Sequence, residues 1–314
     1  MGLTIGVDIG GTKVLGGVVD DDGTVLVTAR RATPADDVAK TRDVIIDVVR
    51  ELAGGQPIEA VGIGAAGWID AGRSTVLFAP NLAWRDEPLR DVVSAGTGLP
   101  VVVENDANVA AWAEFRYGAA EDADDSMVLF TVGTGIGGGI VLGGQIVRGA
   151  HGVAAELGHV QAVPNGHLCG CGRRGCIEQY ASGNALVRFA QSGAKDDAAK
   201  AAILLAKADG DVAGITGPMV TEAAREGDSV AIDAFHQIGT WLGVAMADMA
   251  QILDPQVIVI GGGVIEAGEL LLSPARDSFI ENLAHRAKSP IADVRAAKMG
   301  NMAGIVGAAD LARR

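Results

Sequence analysis

Val7-Asp8-Ile9-Gly10-Gly11-Thr12-Lys13, near the start of the chain, joins a β-branched apolar run to an aspartate and a Gly-Gly-Thr turn. A similar arrangement recurs at Thr131-Val132-Gly133-Thr134-Gly135-Ile136-Gly137-Gly138. Runs rich in Val and Ile that flank glycine turns are typical of β-hairpins. The repeat therefore predicts a structural unit that the chain builds twice, each time with a glycine-threonine turn.

The pattern around each hairpin predicts strands that alternate with helices. In the first half we expect strands at 3–9, 13–19, 24–30, 60–64 and 101–104, and helices at 36–52 and 106–117. The second half restarts with a strand at 126–132, a glycine loop at 133–139, a strand at 140–142, a long helix at 229–253 and a strand at 256–260. This order, βββαβα entered twice, indicates an α/β fold with a sheet in each of two lobes.

The composition argues against several classes of protein. A net charge of -14 and a pI near 4.7 are unsuited to a nucleic-acid surface, which requires an excess of Lys and Arg. The sequence contains no uninterrupted apolar segment of about 18 residues, so we expect no membrane span. The N-terminus shows no signal-peptide pattern. We therefore expect a soluble, cytoplasmic protein in a reducing compartment.

Both glycine-threonine turns have chemistry that suits phosphate. Glycine amides and threonine hydroxyls form concave sets of donors, and Asp8 at a strand end can hold a hydrated Mg²⁺. ATP fits this arrangement, although either turn alone also fits a plain hairpin. The G-x-G-x-x-G spacing at 133–138 does not indicate a dinucleotide site, because a strand rather than a helix follows it. No Gly-Lys dipeptide is present, which excludes a Walker A loop.

All three cysteines, Cys169, Cys171 and Cys176, lie in one glycine-rich loop, and an odd number cannot be consumed by internal disulfides. Their C-x-C-x4-C spacing can turn three sulfurs toward one point. Structural Zn²⁺ needs four ligands, and His159 and His167 are the candidates for the fourth. We prefer His159, because His167 is so near Cys169 in sequence that it would strain the loop. The alternative is a loop of reduced cysteines without metal.

Five motifs together resemble the ROK family (repressor, open reading frame, kinase). They are Asp8-Ile-Gly-Gly-Thr12, Glu104-Asn105-Asp106, Glu156-Leu-Gly-His159, Cys169-Gly-Cys171-Gly-Arg-Arg-Gly-Cys176 and Ile177-Glu178. The resemblance implies a two-lobed actin-like ATPase (ribonuclease H-like) fold, with nucleotide and sugar in a cleft between the lobes. It also implies a small lobe of residues 1–108 plus about 293–314, and a large lobe of residues 109–292 that carries the zinc loop. The implied activity is ATP-dependent phosphorylation of glucose to glucose 6-phosphate, of the kind that the bacterial glucokinases of the family perform.

The resemblance also implies roles for individual residues. Asp106 is the general base, although its position equally fits a cap for a helix that begins at residue 107. The implied sugar contacts are Gly67, Asn105, Asp106, Glu156, His159 and Glu178. The implied nucleotide contacts are Asp8, Gly10, Gly11, Thr12, Lys13, Thr134, Gly135, Gly261, Gly262 and Gly263.

His159 links the expected metal site to the expected sugar site. If one ring nitrogen binds zinc, the other remains to donate to a sugar hydroxyl. The metal would be structural, and would hold the loop that carries Glu178. We therefore expect loss of the metal to weaken glucose binding and to leave ATP affinity little changed.

Several alternatives stay open at this stage. A kinase for another hexose or hexosamine (fructose, mannose or N-acetylmannosamine) shares much of the pattern, and some relatives use polyphosphate, for which this acidic chain offers few basic runs. A repressor would need a DNA-binding domain ahead of the hairpin at residue 8. The non-enzymatic alternative that we keep from this class is therefore a sugar sensor that does not bind DNA. An actin-like filament protein would need the nucleotide turns without Glu156, His159 and Glu178. Family members are commonly homodimers or homotetramers.

Overall fold

The computed structural model describes residues 2–314. Its strands are β1 Leu3–Ile9, β2 Lys13–Val19, β3 Val25–Ala32, β4 Ile58–Ala65, β5 Trp68–Ile69, β6 Val76–Phe78, β7 Arg85–Glu87, β8 Val101–Asn105, β9 Met127–Val132, β10 Ile136–Leu142, β11 Gln145–Ile146, β12 Val257–Gly261 and β13 Asp293–Ala296. Its α-helices are α1 Val38–Ala53, α2 Leu89–Thr97, α3 Asp106–Tyr117, α4 Glu178–Ala181, α5 Gly183–Asp196, α6 Ala202–Lys207, α7 Gly217–Arg225, α8 Ser229–Leu253, α9 Glu269–Leu283 and α10 Ala303–Ala312. Among the described helices, none has the length and apolar character needed to span a bilayer.

The chain forms two compact units. The first comprises Met1–Leu129, Gly139–Ala155 and Lys298–Arg314, and the second comprises Phe130–Gly138 and Glu156–Ala297. The division into lobes at 108/109 and 292/293 stays a prediction, because compact units need not coincide with evolutionary domains.

The first unit is built on a five-stranded sheet in the order β3-β2-β1-β4-β8. β1 pairs antiparallel with β2 and parallel with β4, and β4 pairs parallel with β8. The β-branched side chains of these strands form a core with α1 and α2. Helix α10 lies so close to the sheet that a Cβ on Gly6 or Gly62 would overlap its backbone. Glycine at these two positions therefore allows the C-terminal helix to pack on β1 and β4.

A second five-stranded sheet has the order β11-β10-β9-β12-β13. Its β10 and β11 pair antiparallel, and its β12 and β13 pair parallel. The strand order thus repeats that of the first sheet, in which a hairpin is followed by strands added on the other side. This repetition confirms the duplicated α/β unit that the two glycine-threonine turns predict.

The predicted helices at 106–117 and 229–253 have the observed bounds of α3 and α8. The expected loop at 133–139 is wrong in its second half, because β10 already begins at Ile136. Gly139 explains the difference, since a Cβ there would overlap the side chain of Ala111 in α3. The glycine is therefore needed for close packing of a helix on a strand, and the turn itself is confined to 133–135.

Candidate active site

Asp106 lies where strand β8 ends and helix α3 begins. The cap of α3 is the preceding residue, Asn105, whose side-chain oxygen accepts from the N–H groups of Ala107 at 2.9 Å and Asn108 at 3.1 Å. The Asp106 carboxylate also accepts from the Ala107 N–H at 2.9 Å. Because Asn105 already supplies the cap, Asp106 is not needed as the capping residue of α3.

Asn105 also connects this turn to Gly67, another expected sugar contact. The Asn105 amide nitrogen donates to the Gly67 carbonyl at 3.0 Å. A Cβ on Gly67 would overlap the backbone of Phe78, so this segment packs without room for a side chain. An amide has two N–H donors, and Asn105 holds the Gly67 segment with one of them. The expected sugar contact would use the other.

Asp8, near the end of β1, and Asp106, directly after the end of β8, are two carboxylates of the first unit that interact electrostatically. Burial raises the pKa of Asp8 from 3.8 to about 6, the Asp106 charge adds to this rise, and Lys13 opposes it. Burial also raises the pKa of Asp106, against the effect of the Ala107 N–H bond. A carboxylate whose pKa is raised toward neutrality is a better proton acceptor than an ordinary one. A Cβ on Gly304, at the start of α10, would lie 2.8 Å from Asp8 Cγ, so glycine leaves the space that Asp8 occupies.

The Asp8→Asn variant should be more stable than the wild type at pH 7. The pKa of Asp8 in the folded state lies above its value in the unfolded state. Between about pH 4 and pH 6 Asp8 is therefore more protonated in the folded protein, and the free energy of unfolding falls as the pH rises through this window. Removal of the charge should raise the free energy of unfolding at pH 7 by up to about 3 kcal/mol, and the gain should vanish toward pH 4. Urea unfolding at the two pH values measures this. A variant that is less stable at pH 7, or equally changed at both values, would contradict the assignment.

In the first glycine-threonine turn, some backbone groups hold the turn together and others are exposed. The Gly10 N–H closes the turn on the Lys13 carbonyl at 3.0 Å, and the Gly10 carbonyl accepts from the Thr33 hydroxyl at 2.8 Å. Gly10 is thus committed to the shape of the turn. Thr12 is exposed at the tip. Its amide and that of Gly11 are the ones that the sequence leads us to expect at a phosphate.

The second turn has the same organisation. The Gly133 N–H donates to the Gly135 carbonyl at 3.0 Å, and Thr134 is exposed at the tip. The Gly133 carbonyl accepts from the Gly183 N–H at 2.8 Å, which fixes the turn to the start of α5. Thr134 and Gly135 in the turn of the second sheet therefore correspond to Gly11 and Thr12 in the turn of the first.

The four expected metal ligands lie together in the second unit. His159, Cys169, Cys171 and Cys176 each offer an atom within 4.8 Å of the others. The Nδ1 of His159 lies 3.6 Å from Cys169 Sγ, and Cys171 Sγ lies 3.6 Å from Cys176 Sγ. A tetrahedral zinc site has edges of about 3.6–3.8 Å between such ligands. The donor set fits Zn²⁺, and the two 3.6 Å separations match the edges of such a site.

His159 and His167 have different surroundings. His159 presents Nδ1 to the thiols, while its Nε2 lies 4.0 Å from Glu156 Oε2. The ring of His167 packs instead against Tyr180, with centroids 5.4 Å apart, and is not among the clustered ligands. The ring nitrogen of His159 that faces away from the thiols thus points toward another expected sugar contact.

Glu178 joins the cysteine loop to the second turn. Its Oε1 accepts from the Cys169 thiol at 3.5 Å, and its Oε2 accepts from the Ile136 N–H at 3.1 Å. A Cβ on Gly158, the residue before His159, would overlap the Ile136 carbonyl. The expectation that metal loss leaves ATP affinity little changed stays a prediction from the sequence. These contacts favour an effect on the second turn as well, because Glu178 contacts both the cysteine loop and the Ile136 N–H.

Gly261-Gly262-Gly263, where an adenosine contact is expected, begins at the last residue of β12. Gly262 has a φ of 85° and no room for a Cβ beside the Val132 backbone, so substitution there would disturb the fold. A Cβ on Gly263 meets no atom within 4 Å. Gly263 is therefore the position at which ligand contact can be tested separately from packing.

The Gly263→Val variant should raise the Kd for an ATP analogue by roughly tenfold or more, about 1.4 kcal/mol, and change the glucose Kd little. The added side chain would occupy space that the nucleotide needs. Gly217→Val is the matched control, since a Cβ there also enters open space. Calorimetric titrations decide the matter, and an increase confined to the glucose Kd would place the triple glycine outside the nucleotide site.

Sequence reasoning assigned no role to Arg73, Arg148 or Gly304. The two arginines pair with Glu104 beside the turn that carries Asp106, and Gly304 packs on Asp8. No local pattern marks the arginines, because each is distant in sequence from the carboxylate that it meets. The C-terminal glycine lies in a helix, where a glycine lowers helix propensity and so gives a weak signal of close packing.

The chain shows the two-lobed, actin-like α/β fold of sugar kinases. Residues 4–314 match the ROK family, and the chain belongs to it. It is 50% identical to a glucokinase of Streptomyces coelicolor over 100% of this chain and 98% of that protein. It is 35% identical to an N-acetylmannosamine kinase of Yersinia pseudotuberculosis over 84% of each chain. A ROK family glucokinase from Streptomyces griseus, solved in complex with glucose and AMPPNP, is 53% identical with a TM-score of 0.87, over 99% of both chains.

Proposed function

We propose that this protein catalyses the ATP-dependent phosphorylation of glucose to glucose 6-phosphate. The observation that carries the proposal is the buried carboxylate of Asp106, placed at the end of β8 beside a helix that Asn105 already caps. The similarity to the glucokinases over the whole chain supports the choice of substrate and donor.

Asp106 acts as the general base. The 6-hydroxyl of glucose is a weak nucleophile, and its attack on the γ-phosphorus of ATP requires that its proton be accepted as the new P–O bond forms. The proton passes to the Asp106 carboxylate, the bond to the β-phosphate oxygen breaks, and ADP leaves. The raised pKa of Asp106 makes its carboxylate a better proton acceptor, while Asn105 holds the strand–helix turn that carries the carboxylate.

The two glycine-threonine turns bind the phosphates. Thr12 and Thr134 are exposed at the tips of the turns and offer their hydroxyls to the phosphates. The glycines beside them let the backbone approach the nucleotide. Asp8, whose carboxylate is ionised above about pH 6, is the residue suited to a hydrated Mg²⁺. When bound, Mg²⁺ neutralises charge on the phosphates.

The cysteine cluster is structural. His159, Cys169, Cys171 and Cys176 would supply all four ligands of a Zn²⁺ ion, which leaves no open position for substrate. The ion would hold the loop that carries Glu178 and fix the ring of His159. Through them it supports the sugar contacts Glu156, His159 and Glu178.

The second candidate is an N-acetylmannosamine kinase, since a protein of that activity is a relative. Initial rates with ATP on glucose, mannose, fructose and N-acetylmannosamine test the choice. We expect glucose to have the highest kcat/KM of the four, and a higher value for N-acetylmannosamine would reassign the substrate.

We also propose that the protein forms a homodimer or homotetramer. Sedimentation equilibrium would measure the mass of the assembly.

A further inference from the structure

Glu104 is a buried carboxylate immediately before Asn105 and Asp106. The residue is 1% exposed, yet it belongs neither to the proposed base nor to the proposed sugar contacts. A buried charge is costly unless it is paired and hydrogen-bonded. The contacts of this buried carboxylate, two residues from the proposed base, indicate what it does.

One oxygen of Glu104 braces the catalytic turn on both sides of Asp106. Glu104 Oε1 accepts from the Asn105 N–H at 2.9 Å and from the Asn108 side-chain amide at 3.1 Å. Asn105 ends the strand, and Asn108 lies in the first turn of α3. The carboxylate therefore spans the strand–helix junction on which Asp106 stands.

The other oxygen lies between two guanidinium groups. Glu104 Oε2 is 2.7 Å from Arg148 Nε and 3.2 Å from Arg73 Nε. The Arg148 Nε–H does not point along the line to Oε2, so the contact is ionic rather than a directed hydrogen bond. The pairing compensates the buried charge and fixes the carboxylate from the side opposite to the turn.

Arg148 is in turn attached to a structured loop. Its Nη1 donates to the Ala71 carbonyl at 2.9 Å and its Nη2 to the Asp70 carbonyl at 2.8 Å. The Asp70 carboxylate accepts from the N–H groups of Ser74 at 2.7 Å and Thr75 at 2.9 Å, which makes the loop a closed turn. A continuous set of contacts thus runs from this loop through Arg148 and Glu104 to the turn that carries the base.

We propose that Glu104, held by Arg148, is a positioning residue that sets the direction of the Asp106 carboxylate in the phosphoryl-transfer step. The proposal rests on the function proposed above. A base must lie within hydrogen-bond reach of the proton that it accepts, and small displacements of catalytic groups reduce the rate strongly. The effect of Glu104 should therefore fall on kcat rather than on ground-state binding.

The test is steady-state kinetics on Glu104→Gln and Arg148→Lys, with thermal unfolding of each variant. We expect kcat to fall roughly 10- to 100-fold in Glu104→Gln while the KM values for glucose and ATP change less than about threefold. Arg148→Lys keeps the charge and loses the forked contacts to two carbonyls, so it should show a smaller loss of the same kind. It also keeps the proposal testable if Glu104→Gln does not fold.

Glu87→Gln is the matched control, because Glu87 is 3% exposed and pairs with Arg42 through two hydrogen bonds of 2.6 Å, without contact to residues 104–106. It should lose stability and keep kcat. A folded Glu104→Gln protein with wild-type kcat, or a kcat loss of equal size in Glu87→Gln, overturns the positioning role. If the wild type itself does not phosphorylate glucose, the proposed function fails instead.

Discussion

Replacement of Asp106 by Asn lowers kcat by roughly a hundredfold to ten-thousandfold while glucose and ATP still bind. Removal of a general base affects the transition state, in which the proton moves, more than the ground state. Asn keeps the size of the side chain and its hydrogen bond from the Ala107 N–H, and Asn105 keeps the helix capped. The fold should therefore survive the change, and because burial disfavours the charged form of Asp106, the unfolding midpoint at pH 7 should not fall below that of the wild type.

Steady-state rates and calorimetric titrations together measure this result. Asp37→Asn serves as the control, because it also removes a carboxylate at a helix N-terminus and retains an oxygen that can accept from the Lys40 N–H. The control should keep full activity. A well-folded Asp106→Asn protein with near wild-type kcat would remove Asp106 from the mechanism.

Replacement of Cys171 by Ser removes the metal and weakens the binding of both substrates. Purified wild-type protein should contain about one zinc per chain and the variant almost none, because three ligands remain where a structural site needs four. Losses of roughly 10- to 100-fold in affinity follow disruption of such supporting shells. Glucose binding should fall because His159 and Glu178 lose their positions. Nucleotide binding should also fall, since Glu178 holds the Ile136 N–H of the second turn.

Two histidine variants separate this account from simple damage to the loop. His159→Ala should lose metal and glucose affinity, whereas His167→Ala should keep both, since its ring packs on Tyr180 outside the cluster. Elemental analysis beside titrations with glucose and AMPPNP gives the answer. Metal-free wild-type protein with full affinity for both ligands would reject the site, and zinc loss in His167→Ala alone would identify a different fourth ligand.

Local signals explain what could be predicted from the sequence. The first glycine-threonine turn and its flanking β-branched strands lie where the pattern places them, because the turn residues and the strand formers agree. Helix α3 begins after a capping Asn105, and helix α8 begins after a capping Asp228. The cysteine spacing also identified a cluster that the structure brings together. In each case the signal lies within a few residues of the feature.

The features that could not be predicted depend on contacts between distant segments. Gly139 resembles a loop residue in isolation, and only the approach of Ala111 shows why a strand needs a glycine there. The pairing of Glu104 with Arg148 joins residues that no periodicity relates. The bond between Glu178 and the Ile136 N–H likewise couples two sites that appear independent in the sequence. Such contacts follow from tertiary packing, and packing has no signature in a single sequence.

The most direct test of glucose phosphorylation is ³¹P NMR of a reaction that contains the wild-type protein, glucose, ATP and Mg²⁺. The phosphomonoester signal of glucose 6-phosphate should grow in equal amount with ADP, and neither should form at a comparable rate without glucose. ADP that accumulates with inorganic phosphate and without a sugar phosphate would contradict the kinase and indicate a nucleotide hydrolase.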